Sequence, residues 1–179
     1  MDAAFVEKIH QMDGQALGSL HDQLYPLVYR YIRYRLEDEQ LVEDLVSETF
    51  MRLLDHLGRS KGRVLDFKAW LLGTASHLVH DHLRDQYHKP VENFEEQDDL
   101  PGENHTEGTV EEKQKEQHIR QAMKNLTDEQ QQVLALRFTQ ELSLEETARI
   151  MGKNINAVKV LQFRAIGAMR RQFVENSDQ

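Results

Sequence analysis

Leu142-Ser143-Leu144-Glu145-Glu146-Thr147-Ala148-Arg149-Ile150-Met151-Gly152-Lys153-Asn154-Ile155-Asn156-Ala157-Val158-Lys159 decides how this chain folds, because its small and apolar residues fall at helix-turn-helix offsets. Ala148 stands where two helices cross too closely for a larger side chain. Gly152 takes the turn, where positive φ is cheap without a Cβ. Val158 plugs the second helix into the core. Ser143, with Glu146 three residues on, forms a capping box that starts the first helix. The pattern predicts a helix presented to a DNA groove.

Upstream lies Leu126-Thr127-Asp128-Glu129-Gln130-Gln131-Gln132-Val133-Leu134, and downstream Val158-Lys159-Val160-Leu161-Gln162-Phe163-Arg164-Ala165-Ile166. From Leu126 to about Phe173 the chain resembles the fourth conserved region of bacterial sigma factors. The resemblance rests on an L-S-x-E-E-x-A-x-x-x-G motif followed by V-K-x-x-x-x-R-A. Along the second helix, Val158, Leu161, Ile166 and Met169 are expected to face the core. That leaves Asn154, Asn156, Lys159, Val160, Gln162, Phe163, Arg164, Arg170 and Arg171 for groove and phosphate. Lys159 and Arg164 suit guanine edges or phosphate, Asn156 and Gln162 adenine, and Phe163 a thymine methyl. The resemblance implies that Lys159, Val160, Phe163 and Arg164 touch the minus-thirty-five element. Leu161 departs from it, since the family often has Arg there.

The chain has 179 residues, no cysteine and a formal charge of -9, which excludes disulfides and thiolate zinc sites. It has no apolar run of the roughly 18 residues a membrane span needs, and no basic-then-apolar N-terminal segment, so a cytoplasmic location is expected. Net charge is unevenly spread: residues 1–90 carry -3, residues 91–117 carry -8 and residues 118–179 carry +2. Residues 91–112 are acidic, poor in apolar side chains and broken by Pro101-Gly102, which predicts a flexible linker. Helical periodicity elsewhere predicts an all-α fold of two small domains, 1–90 and 113–179. The expected helices are 2–12, 15–36, 40–57, 66–89 with a possible break near Ser76, 113–125, 128–139, 143–151 and 155–173. Asp128 and Ser143 are the expected N-caps of the two helices they begin.

In the first domain, Val42-Glu43-Asp44-Leu45-Val46-Ser47-Glu48-Thr49-Phe50-Met51-Arg52-Leu53 puts Glu43, Asp44, Ser47, Glu48 and Asp55 on one polar stripe. By itself such a stripe is a solvated face. It is similar, however, to the E-D-L-V-Q-E-x-F segment of the second sigma region, which implies docking on core RNA polymerase through Glu43, Asp44, Ser47, Glu48 and Phe50. Ser47 departs from the usual Gln.

The stretch from Asp66 through Phe67, Trp70 and Leu71 to Asp81 and Arg84 resembles the family segment that melts and reads the minus-ten element. It implies DNA contacts at His77, His80, Arg84 and Lys89. His77 replaces the common Asn, and no Arg-rich run follows Arg84, which makes the grip weaker or pH-sensitive. Trp70 is expected in the core. Tyr25, Tyr29, Tyr31 and Tyr34 are read as a core stripe with wet hydroxyls beside solvated Arg30, Arg33 and Arg35. His77, His80, His82 and His88 include metal-compatible spacings but lack a second ligand pair, so neither a metal nor any other cofactor is expected.

In order and separated by a linker, the two blocks resemble a group-four, extracytoplasmic-function sigma factor. The implied role is non-catalytic: joining core RNA polymerase, recognising promoter DNA and melting it, with an anti-sigma factor as inhibitory partner. The acidic linker is either a polymerase-channel thread or a solubilising tether. Two other readings are open to the residues alone. One is a stand-alone helix-turn-helix regulator with a helical effector domain, and the other a helical metalloenzyme built on the histidines.

Overall fold

The computed structural model describes residues 2–59, 62–88, 119, 121–123 and 125–175. Among these are α1 (Ala3–His10), α2 (Gly14–Arg35), α3 (Glu39–Gly58), α4 (Phe67–His88), α5 (Asp128–Leu134), α6 (Leu144–Met151) and α7 (Ile155–Glu175), and no strand. The linker expected at 91–112 lies outside the described residues. Of the helix expected at 113–125, residues 119, 121–123 and 125 are described; 119 and 121–123 are helical, and Asn125 lies in a turn.

Each helix start is written in the sequence as a short polar side chain that accepts a hydrogen bond from an otherwise unpaired backbone N–H. Asp2 accepts from Phe5, Asp13 from Ala16 and Asp38 from Leu41. Asp66 accepts from Ala69 and Asn154 from Ala157, at 2.9 and 2.8 Å. Ser143 and Glu146 form the expected capping box. One cap differs from expectation: Thr127, not Asp128, caps α5, in a second capping box with Gln130. The Thr127 hydroxyl reaches the N–H three residues on, which leaves Asp128 as the first helical residue with its carboxylate free to point sideways. Nor does α4 break near Ser76; it is continuous, because Leu72, Ala75, Ser76 and Val79 are all buried along one stripe.

Helices α1 to α4 enclose one core, including Ile9, Leu20, Val28, Tyr31, Ile32, Val42, Leu53, Phe67, Leu71 and Val79. A second cluster holds Met123, Leu126, Val133, Leu134, Ala148, Val158 and Ala165. Between them, α5 passes into a π-helical turn, Ala135–Thr139. The wider turn redirects the side chains that follow it. Val133 and Leu134 face the second cluster, whereas Ala135, Leu136 and Leu142 are buried in the first. The two halves therefore share a packed boundary. No reading of the linear pattern anticipated it.

Two sequence expectations fail at this boundary. Tyr31 is fully buried with its hydroxyl accepting from Arg35, and the Arg35 side chain is itself only 1% exposed. Asp128 supplies the carboxylate that makes burial of this guanidinium tolerable. Away from this boundary, Leu54 follows Leu53 in the apolar run of α3 but lies at its exposed edge.

Candidate nucleic-acid interface

Gly152 adopts φ 62 and ψ 30, the left-handed conformation expected of the turn, and closes α6. Ala148 and Val158 are buried on either side of it. Leu161, Ile166 and Met169 pack half-buried on the same cluster, so α7 is held by the stripe that the periodicity identified. On its other side, Asn156, Lys159, Val160, Phe163, Arg164, Arg170 and Arg171 are exposed. Phe163 is 80% exposed and Val160 49%, between two cations. The exposed ring beside Lys and Arg has a shape and charge compatible with a thymine methyl and neighbouring phosphates.

Two proposed readers are already engaged. Asn154 spends its side-chain oxygen on the α7 N-cap. Gln162 is half-buried, and its carbonyl oxygen accepts from Arg137 Nε at 3.0 Å. Arg137 also donates to the Leu142 carbonyl, tying the π turn, the loop before α6 and α7 together. Gln162 thus braces α7 through its carbonyl oxygen. Beside the readers, Glu129, Lys153, Asn154, Asn156, Ala157, Val160, Leu161 and Arg164 line a shallow concavity of about 440 Å3, with Lys153 and Glu129 paired at 2.7 Å.

The α6 start that aims this unit is electrostatically reinforced. Glu146 accepts from the Ser143 backbone N–H at 2.8 Å, and that bond above all holds its carboxyl below the usual range. Lys68 on α4 and Arg149 add smaller attractions in the same direction.

On α4, His77, His80 and Arg84 are exposed, but their surroundings differ. Arg84 is drawn to Asp81 at 3.2 Å and Asp85 at 3.7 Å, which offsets its charge. His80 Nδ1 lies 2.9 Å from Asp128 Oδ2, across the boundary from the second half. Lys89 lies outside the described residues. Trp70 packs half-buried on the core against His56, with ring centroids 5.3 Å apart. Among the described residues no three His, Cys, Asp or Glu side chains gather as a metal site, and no helix is long and apolar enough to cross a membrane.

On α3, Glu43, Asp44, Ser47 and Glu48 share an exposed face. Phe50 does not join them: it is half-buried against His21 and Tyr25, with centroids 4.8 and 6.5 Å away. The exposed apolar residues next to the acidic stripe are instead Met51, 61% exposed, and Leu54, 36%.

The family profile of sigma-70 region 2 matches residues 20–88, and that of sigma-70 region 4 matches residues 122–171. The ECF RNA polymerase sigma factor ShbA of Streptomyces griseus is 30% identical to this chain, the match covering 93% of the chain and 92% of ShbA. The chain belongs to the ECF RNA polymerase sigma factors. A second relative within this sigma family, BldN of Streptomyces coelicolor, is 40% identical over 93% of this chain, which spans 63% of BldN's length. Among solved structures, CnrH in complex with the cytosolic domain of CnrY has a TM-score of 0.73 at 17% identity, covering 99% of both chains. RpoE of Bartonella quintana, solved with the anti-sigma factor NepR, has a TM-score of 0.68 at 18% identity, covering 87% of this chain and 95% of its own. These two likenesses establish a shared helical sigma-factor fold. Sigma factors are in general non-enzymatic regulators of transcription, and membership decides against the stand-alone regulator.

Sequence reading missed the residues that join the halves of this sigma factor: Arg35, Ser76, Asp128 and Gln132. Gln132 donates to the Ser76 hydroxyl, and Asp128 accepts from Arg35. No motif carries such pairs, which lie 56 and 93 positions apart.

Proposed function

We propose that residues 1–90 dock on core RNA polymerase and read the minus-ten element, residues 91–112 tether, and residues 113–179 read the minus-thirty-five element. The docking face is Glu43, Asp44, Ser47 and Glu48, extended by Met51 and Leu54, with Phe50 supporting it from the core. Lys159, Val160, Phe163 and Arg164 meet the minus-thirty-five duplex. Asn156 stands at the near end of the helix, and Asn154 and Gln162 set its position. His77, His80 and Arg84 lie along the minus-ten helix. The protein acts in the cytoplasm without catalysing a reaction of its own, and an anti-sigma protein restrains it.

The observation that carries this reading is Phe163, an exposed ring flanked by Lys159 and Arg164 on a helix fixed from behind by a buried stripe. Together with Val160, 49% exposed, it offers an apolar patch rimmed by cations that a partner can cover. The +2 charge of residues 118–179 suffices because polymerase adds the remaining affinity. Run-off transcription from a genomic promoter library, with purified core polymerase and with or without this chain, tests the proposal. Activation of a defined promoter set is expected. If no promoter fires and the chain does not co-purify with core enzyme, the reading is wrong.

A further inference from the structure

Where the C-terminal end of α2 meets α4 and the segment before α5, the packing leaves a cavity of about 640 Å3. None of the residues assigned to DNA or to polymerase lines it. Its apolar wall is Tyr29, Leu36, Leu83, Ile119, Met123 and Leu126. Leu36, Met123 and Leu126 are themselves buried, which holds that wall in place. A cavity of this volume is in the range that takes a small organic molecule.

Its polar side offers donors, whereas its charged acceptors are taken. Arg30, Arg33 and Arg35 of α2 all line it. The Arg35 side chain is 1% exposed and donates through its terminal nitrogens to Tyr31 and Asp128, yet its Nε has no hydrogen-bond partner among the described residues. A buried N–H left unpaired is costly, and an acceptor oxygen brought to it recovers that loss. Arg33 spends one N–H on the Leu36 carbonyl at 3.0 Å, and a guanidinium has others to give. Arg30 is exposed and forms no ion pair among the described residues. Tyr34 donates its hydroxyl to the Met123 sulfur at 3.4 Å, a weak acceptor that a carboxylate oxygen would outbid. Burial raises the Tyr34 pKa, so the phenol stays a donor. Asp128 is engaged at one oxygen by Arg35 and at the other by His80, and Glu37 is likewise engaged.

We propose that this cavity is a binding site for a small amphipathic carboxylate. Its apolar body lies against Leu83, Met123 and Leu126, and its carboxylate accepts from the arginines of α2 and the Tyr34 hydroxyl. A cation of the same shape is repelled by three guanidinium groups, and a wholly apolar molecule leaves Arg35 Nε unpaired. The lining comes from α2, α4 and residues on either side of the α5 start, so one bound molecule touches both halves. The free chain carries the whole site, and its test does not depend on transcription.

The full chain is titrated by calorimetry with decanoate and with phenylbutyrate, and with decylamine as a cation of matched length. At least one carboxylate is expected to bind saturably, one molecule per chain. It should also raise the thermal unfolding midpoint, because a ligand held only by the folded chain stabilises it by mass action. Decylamine is expected to do neither. Arg30→Glu, at an exposed position, reverses one charge and should weaken the carboxylate severalfold with helicity unchanged by circular dichroism. Leu83→Trp fills the cavity with an indole and should abolish saturable binding; if that variant does not fold, Arg30→Glu decides alone. Failure of both carboxylates to bind, equal binding of decylamine, or an affinity untouched by Arg30→Glu overturns the site. A folded Leu83→Trp chain that binds as tightly as its parent places the ligand elsewhere and overturns it too.

Discussion

At Ser143 and Glu146, two side chains and two backbone N–H groups satisfy each other at the start of α6. Ser143→Ala removes one half of this box and should cost about 1 kcal/mol, read as a lower midpoint in thermal or urea unfolding. The Glu146 carboxyl is held below its ordinary value by the folded state, chiefly by the Ser143 backbone N–H. Its contribution is therefore complete above the unfolded carboxyl's range and fades as pH falls through the lower folded value. Glu146→Gln should flatten the acid limb of the stability profile, and an unchanged limb would refute the link. On α7 the consequences are functional. Arg164→Ala should weaken promoter binding by ~1–3 kcal/mol and relax preference at one base position if Arg164 reads a base. Gln162→Ala, which loses only its bond to Arg137, should leave base preference intact while loosening the helix.

Among the helices, α3 shows how one amphipathic pattern serves two surfaces. Val42, Val46, Thr49, Leu53 and Leu57 bury one side, and the acidic side runs on into Met51 and Leu54. Asp44→Arg should abolish core-polymerase co-purification and leave helicity unchanged by circular dichroism, because Asp44 is exposed and packs on nothing in the core. Met51→Ala should weaken the same association without loss of stability. The periodicity located this helix, its acidic stripe and an apolar run that includes Phe50 and Leu54, whereas the family resemblance put Phe50 on the docking side. Both lie at the edge of a stripe, where a shift of some tens of degrees about the axis decides exposure. Linear spacing does not resolve that; the rings of His21 and Tyr25, arriving from α2, do.

Over the whole molecule, Leu136 is the residue most diagnostic of how the halves are joined. It follows α5 in sequence but is buried with Val28, Ile32 and the rest of the first-half core. Leu136→Ala should cost about 2–5 kcal/mol, as for a buried leucine that leaves a cavity. Hydrogen exchange should then rise in α2 as well as in α5. Faster exchange confined to α5 would show that the two clusters are energetically separate.

The sequence by itself determined the helices, the Ser143 capping box, the Gly152 turn and the exposed cations of α7. All depend on residues three or four apart, whose geometry the helix fixes without outside help. It also determined, through motifs on two separate blocks, which family's surfaces those helices carry. Only the tertiary structure decided that Arg35 is buried, that Asp128 faces Arg35 and His80 and does not cap α5, that Gln162 is turned toward Arg137, and that α4 is partly covered. Each depends on groups brought together by packing across tens of residues, where the energy of a pair is set by burial and direction, and neither is encoded in local spacing.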